Sequence, residues 1–182
     1  MTEPLADKWT EKIVALPIAE FVDGDTLRFV RHFDASPARV WETITTRAGW
    51  PWVRDMSADL RLGGAFELDF DEDNSMRGRI VTFEPHRLFE LEWVEASIDE
   101  PGAAPRLHSE SVLSFELEPE GEGTKLTLSH RHVTREEAPG FGAGWHAHLG
   151  RLQVYLAGDD FELPSMFGAL LPKYERLVAE ST

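Results

Sequence analysis

Four of the seven histidines in this chain lie in one stretch, residues 129 to 152, which reads SHRHVTREEAPGFGAGWHAHLGRL. They are His130, His132, His146 and His148. Imidazoles at such density can bind a metal ion, transfer protons near neutral pH, or act as hydrogen-bonding groups in an apolar wall. Which of these applies depends on the elements that carry them.

The spacing of the four histidines favours hydrogen bonding over metal binding. His130 and His132 continue an alternation of leucines, so a strand would turn both toward its apolar face. On a helix, His148 borders the stripe of Trp145, whereas His146 points sideways. A catalytic zinc site needs three ligands, and the usual helical pair is spaced i,i+4 rather than i,i+2. We therefore expect His130, His132 and His148 to be hydrogen-bonding side chains in a cavity wall. We expect no metal or catalytic site.

No other stretch carries a recognisable catalytic or cofactor motif. The chain has no cysteine, which excludes disulfides, thiolate zinc sites and cysteine nucleophiles. The run DFDEDN spaces its aspartates like a calcium loop, but Asn74 and Ile80 stand where that loop needs a glycine and an acid. Signatures of serine nucleophiles, phosphate loops and dinucleotide sites are missing from the sequence. The sequence predicts no metal and no cofactor.

Alternating apolar residues predict that most of the chain forms an antiparallel sheet. A first strand is expected over residues 26–34, then a helix with Ser36 as N-cap and Pro37 in its first turn. From Leu60 onward, several alternating stretches are separated by turn sequences. A helix over residues 140–157, ended by Gly158, would cover the apolar face. The predicted fold is α+β, with about six or seven strands wrapped around a long C-terminal helix and a cavity between them.

Aromatic residues suggest what the cavity holds. The chain has six tryptophans and eleven phenylalanines, and Trp50 and Trp52 lie in the turn sequence GWPWV, where they can close over an apolar ligand. Arg31 shares the inward face of the first strand and would orient the ligand with the histidines. An acidic ligand would bind more tightly as the pH falls from about 8 to about 6, because the histidines gain charge. The predicted ligand-binding residues are Trp50, Trp52, Phe66, Leu68, Trp93, Phe115, Leu128, His130, His132, Trp145, His148 and Arg31.

Charge and composition exclude several classes of partner. The net charge of −15 repels phosphate backbones and anionic lipid heads, so we expect neither nucleic acid nor membrane as a partner. No run approaches the roughly 20 apolar residues of a membrane helix, and the first residues do not resemble a secretion signal. With no cysteine, the chain suits a reducing cytoplasm, where we expect it to act.

The chain divides into one main domain and two flanking segments. We expect an N-terminal extension over residues 1–25, the domain over residues 26–158 and a helical tail over residues 159–182. Pro172 is expected to break the tail helix. The apolar residues of the tail can dock on their own domain or on a second copy, which would make a homodimer.

Five motifs, FDASPARVWETITT, DLRLGGAFELDF, GRIVTFEPHRLFELEWVE, SFELEPEGEGTKLTLSH and GWHAHLGRLQVYLAG, occur in an order and spacing similar to a known family. The sequence resembles the homologues of the activator of the heat shock protein 90 (Hsp90) ATPase, in the START-like (SRPBCC) superfamily. The resemblance covers residues 26–158. It implies a helix-grip fold, in which a curved sheet holds a C-terminal helix above a cavity that takes a hydrophobic ligand in many relatives. It carries no catalytic set onto this chain.

Three functions remain open at this point. The first is binding of a small hydrophobic or aromatic ligand in the cavity. The second, suggested by the family, is a chaperone-associated interaction module in the stress response, although the chain does not show the additional chaperone-binding domain of the eukaryotic activators. The third is a cyclase, dehydratase or hydrolase that uses a cavity histidine as acid or base.

Overall fold

The structure, a computed structural model, describes residues 5–98, 103–159 and 164–181. Within these ranges the chain forms four α-helices, nine β-strands and one 3-10 turn. The helices are α1 (Leu5–Val14), α2 (Pro37–Thr45), α3 (Ala138–Leu156) and α4 (Phe167–Glu180), and the 3-10 turn covers Arg47–Gly49. The strands are β1 (Glu20–Val22), β2 (Thr26–Phe33), β3 (Asp55–Ala58), β4 (Ala65–Asp69), β5 (Asn74–Glu84), β6 (Leu88–Ser97), β7 (Arg106–Leu107), β8 (Ser111–Glu120) and β9 (Gly123–Arg131).

All strand pairs are antiparallel and form one open sheet. The order is β1-β2-β9-β8-β6-β5-β4-β3, and β7 pairs with the end of β6. In the middle of the sheet, Leu128 of β9 pairs with Phe29 of β2 on one side and Phe115 of β8 on the other. Side chains at paired positions point to the same face, so these three form an apolar row toward α3. The predicted α+β helix-grip fold is confirmed.

Helix α2 begins where the sequence predicted. Ser36 has an extended backbone, its Oγ accepts a hydrogen bond from the Arg39 backbone N–H at 3.3 Å, and Pro37 occupies the first turn. This side-chain cap satisfies one of the backbone N–H groups that every helix start leaves unpaired.

Helix α3 approaches its neighbours closely at two glycines. A Cβ atom added to Gly142 would lie 2.3 Å from the ring of Tyr174 in α4. One added to Gly150 would lie 2.3 Å from a methyl carbon of Ile13 in α1. Both distances are far below contact distance, so only glycine lets α1 and α4 lie directly against α3. The long helix is therefore covered by the sheet on one side and by two helices on the other.

The tail helix differs from the prediction, because Pro172 does not break it. Helix α4 continues from Phe167 to Glu180, and its buried residues Leu170, Tyr174 and Val178 lie on both sides of the proline. Proline removes one helical hydrogen bond, and the packing of this buried stripe offsets that cost. The tail docks on its own chain in this structure.

Three short strands raise the number from the expected six or seven to nine. They are β1, β3 and β7, with three, four and two residues. Helix α1 lies within residues 1–25, where only an N-terminal extension was expected. It packs on the region 26–158, outside which it lies. Among the described helices, none combines the length and apolarity needed to cross a bilayer.

Candidate functional site

A cavity of about 610 Å³ lies at one end of the grip. It is lined by β6, by α3 between Gly140 and Arg151, and by residues 165–167 at the start of α4. This volume falls within the roughly 300–1,000 Å³ of typical small-molecule sites. Six aromatic side chains line it: Trp52, Phe70, Trp93, Phe141, Trp145 and Phe167.

Only part of the predicted set reaches this cavity. Trp50 is fully buried and lies in the core rather than at the mouth, with its ring centre 6.3 Å from those of Trp93 and Phe115. Its indole occupies the middle of the space that the alternation pattern assigned to a ligand. The predicted residues that line the cavity are Trp52, Trp93, Trp145 and His148. Those in the packed core are Trp50, Phe66, Leu68, Phe115, Leu128 and His130.

The prediction that His132 points into the cavity is wrong. Strand β9 ends at Arg131, and His132 has a positive φ of 64°, so the alternation no longer applies to it. Its side chain is 64% exposed, and Nδ1 lies 3.3 Å from a carboxylate oxygen of Asp25. A three-histidine metal site with His130 and His148 is therefore not assembled.

Arg31 points inward, as predicted, but it lies away from the cavity. Its guanidinium packs 5.6 Å from the ring centre of Phe29, and Nη1 donates to the Val30 carbonyl. Nε and Nη2 have no hydrogen-bond partner among the described residues. Burial lowers the pKa of Arg31, and only the electrostatic effect of Tyr174 opposes this. Arg31 thus cannot orient a ligand in this cavity.

His146 was expected to point sideways, and it lies between helices instead of in the cavity wall. Its Nε2 lies 2.8 Å from the Ile13 carbonyl of α1, and its Nδ1 lies 2.8 Å from the Tyr174 hydroxyl of α4. A carbonyl only accepts, so the proton is on Nε2 and the tyrosine donates to Nδ1. Tyr174 in turn accepts from the Ala19 backbone N–H. This histidine joins both flanking helices to α3.

His130 is buried in a closed hydrogen-bond chain. The Trp145 indole N–H donates to Nδ1 at 3.0 Å, so Nε2 carries the proton and donates to the Ser111 hydroxyl at 2.7 Å. Ser111 then donates to the Trp93 carbonyl. Both ring nitrogens of His130 are occupied, and the imidazole positions Trp145 at the wall of the cavity.

His148 lies in the cavity wall and stacks on Trp50, with ring centres 4.5 Å apart. Its Nδ1 accepts a hydrogen bond of 2.8 Å from the Trp52 indole. Burial lowers the pKa of both His148 and His130 to about 3. The expectation that they gain charge between pH 8 and 6 is therefore wrong, because both remain neutral in that range.

Polar side chains that the sequence pattern did not select form another part of the wall. Glu95 accepts from the Trp93 indole at 2.9 Å, and burial raises the pKa of its carboxyl group. His108 lies between two groups, with Nε2 3.3 Å from the Ser97 hydroxyl and Nδ1 3.6 Å from Glu137. The inward parity of β6 could have indicated Glu95, which follows Trp93 by two residues. No pattern indicated His108 or Glu137, because loops bring them to the site.

Comparison with known proteins places the chain in a family. The sequence model of one protein family, the Activator of Hsp90 ATPase homolog 1-like proteins, matches residues 34–157, which is more than half of the chain. The chain belongs to this family. A search of curated proteins gives no significant match.

Similar solved structures support the same family fold. CalU16 from Micromonospora echinospora is 25% identical, with a TM-score of 0.66 over 86% of this chain and 89% of its own. DynU16, from the dynemicin biosynthetic locus, is also 25% identical, with a TM-score of 0.60 over 73% of this chain and 47% of its own. The Aha1 dimer from Colwellia psychrerythraea, 18% identical, has a TM-score of 0.58 over 72% of this chain and 95% of its own.

Proposed function

We propose that this protein binds a small hydrophobic or aromatic molecule in the cavity between the sheet and α3. The observation that carries this proposal is the aromatic wall of a cavity of about 610 Å³. The free energy of the system falls when a ligand displaces water from the apolar surface of a cavity. The rings of Trp52 and Phe70 stack at 5.4 Å and offer a flat face to a planar ligand.

The relatives are consistent with a binding role. DynU16 is a protein from the dynemicin biosynthetic locus, and small-molecule binding by the present chain would be in keeping with such a relative. For the present chain, the mixed polar groups beside the aromatic rings would set which molecule fits. Its cysteine-free sequence suits action in the cytoplasm. A homodimer, as in the Colwellia relative, would have to use surfaces other than the buried stripe of α4.

Thermal unfolding with fluorene, 2-naphthoic acid and decanoic acid tests the proposal, with native mass spectrometry to count bound molecules. The matched variants are Gly144→Leu and Gly168→Leu. Both glycines are helical and exposed, with no atom within 4 Å of an added Cβ, but only Gly144 lines the cavity. We expect at least one compound to raise the melting temperature of wild type and of Gly168→Leu, but not of Gly144→Leu. If no compound does so, and the protein stimulates an Hsp90 ATPase, the interaction-module function is favoured instead.

His108 lies between Ser97 and Glu137, with one ring nitrogen toward each. This arrangement favours a second candidate function, hydrolysis of an ester. A hydroxyl, an imidazole and a carboxylate in this order are the groups of a nucleophilic acyl transfer. Ser97 Oγ would attack the ester carbonyl while His108 takes the hydroxyl proton and passes it to the departing alcohol. Water would then attack the acyl-serine, release the acid and restore Ser97. Binding remains first, because Ser97 is not among the residues that line the cavity. Turnover of p-nitrophenyl esters that is lost in Ser97→Ala and in His108→Gln would establish the enzyme.

A further inference from the structure

The imidazole of His148 is held in one orientation by three aromatic neighbours. It stacks on Trp50, while the rings of Trp52 and Trp145 meet its edges at 5.6 Å and 5.5 Å between centres. Its side chain is almost completely buried, and it belongs to the wall of the cavity.

The hydrogen bond from Trp52 fixes the position of the proton on His148. An indole N–H can only donate, so Nδ1 of His148 must accept it. A neutral imidazole with an accepting Nδ1 carries its proton on Nε2. The alternative, an imidazolium ion, would lose the Trp52 bond and is disfavoured by burial. Nε2 of His148 is therefore a hydrogen-bond donor.

That donor has no partner among the described residues. An unsatisfied buried donor costs about 1–3 kcal/mol. Arg31 carries a similar cost away from the cavity, whereas His148 lies in the cavity wall, where a ligand can satisfy the donor. Solvent does not reach Nε2, so bulk water does not compensate it. The other buried histidines differ, because both nitrogens of His130 and both of His146 are occupied.

We infer that His148 Nε2–H recognises the carbonyl oxygen of a neutral aromatic ligand, such as an aryl ketone or a quinone. This inference rests on the proposed binding function and names the ligand class for the same cavity. The oxygen would reach Nε2 from the cavity that His148 lines, while the aromatic rings hold the rest of the molecule. Because solvent does not reach Nε2, the oxygen would have to displace the atoms that cover it.

The charges around the cavity favour a neutral ligand over an acidic one. Three carboxyl groups, those of Glu95, Glu136 and Glu137, line the same wall as the guanidinium groups of Arg106 and Arg151, so the wall has no excess of positive charge to pair with an acid. A neutral N–H group offers a directed hydrogen bond but no full charge, which suits a ketone oxygen better than it compensates a carboxylate. An amine or hydroxyl hydrogen would gain nothing from this donor.

Calorimetric titration with 9-fluorenone and fluorene tests the inference, because the two molecules differ by one carbonyl oxygen. We expect wild type to bind fluorenone about tenfold more tightly, as one satisfied buried donor implies. His148→Phe keeps a ring against Trp50 and removes the donor, so it should bind both compounds equally. His32→Phe, on the exposed face of β2, is the matched control and should keep the preference.

A measurement on unmodified protein avoids any effect of substitution on folding. With ¹⁵N-labelled histidine, the Nε2–H resonance of His148 should shift when fluorenone is added, but not when fluorene is added, and those of His130 and His146 should stay in place. Equal binding of both compounds, with no shift of His148, would overturn this inference and leave the proposed function intact. If neither compound binds, both the inference and the proposed function are overturned for aromatic ligands.

Discussion

Arg31 shows how a residue can be placed by strand parity and still play no part in the cavity. Its side chain is 4% exposed, and two of its nitrogens lack partners among the described residues. Each unsatisfied buried donor carries a desolvation cost that an apolar side chain of similar length avoids. Arg31→Met should keep the contact with Phe29 through a flexible apolar chain.

We therefore expect Arg31→Met to raise the free energy of unfolding by about 1–2 kcal/mol. Urea denaturation of both proteins at pH 7.5 measures the difference. Destabilisation by a similar amount would show that the guanidinium has a partner in solution. The conclusion that Arg31 lowers the free energy of unfolding would then be wrong.

Trp50 and Trp52, which the sequence placed together, should respond differently to substitution. Trp50 is fully buried, and its indole N–H donates to the Ile44 carbonyl, whereas Trp52 is only half-buried. Trp50→Ala should cost about 3–5 kcal/mol, the usual range for emptying a buried aromatic site, and Trp52→Ala should cost less. Thermal or urea unfolding of the two variants decides. Equal costs would place both rings in the same environment.

At the scale of single residues, the sequence predicted which side chains point inward. It did not predict which of them line the cavity and which lie in the packed core. Alternation correctly turned Phe66, Leu68 and Phe115 inward, because a strand leaves each side chain only two faces. It could not tell that a tryptophan from the turn after α2 would fill the space in front of them. It also failed for His132, because β9 ends at Arg131, before the end of the alternating stretch.

At the scale of elements, α3 depends on its glycines in opposite ways along its length. Gly150 contacts Ile13, so a methyl group there must displace α1, whereas Gly144 has open space around it. Gly150→Ala should destabilise the protein, because packing clashes typically cost about 1–3 kcal/mol. Gly144→Ala should stabilise it by up to about 1 kcal/mol through helix propensity alone. Circular dichroism melting of the two variants measures this, and the same sign for both would contradict the packing of α1 on α3.

Long elements with many apolar repeats were predictable, and several short ones were not. The long strands and α3 repeat apolar residues over many positions, so the pattern identifies them. Strands β1, β3 and β7 are too short to show a period, and pairing with longer neighbours stabilises them. Polar groups such as His108 reach the cavity through loops, whose course no periodicity describes.

At the scale of the whole molecule, three buried neutral histidines make stability depend on pH. Burial holds the pKa of His146 at about 4 and that of His130 and His148 at about 3, below the ordinary histidine value. The unfolded chain therefore takes up protons that the folded chain does not. This stability is complete above about pH 6.5 and is lost as the pH falls toward 4. Glu95, whose pKa is raised by burial, offsets part of the loss.

We expect the free energy of unfolding to fall between pH 6.5 and 4.5, with up to about 1.4 kcal/mol per pH unit from each buried histidine. Urea denaturation at several pH values in this range measures the slope. His148→Phe should make this slope shallower, because it removes the contribution of one of the three histidines. A stability that stays constant from pH 7 to pH 5 would mean that these imidazoles are not buried in solution.

The central claim is that the cavity beside α3 is a binding site for a hydrophobic or aromatic molecule, and one titration tests it most directly. Trp52, Trp93 and Trp145 line the cavity, so a ligand that enters should change their emission. Titration of wild type with 9-fluorenone should give saturable, one-to-one quenching. The same titration of Gly144→Leu, whose added side chain occupies the cavity, should give none. Quenching that is absent from wild type, or equally strong in Gly144→Leu, would contradict the account.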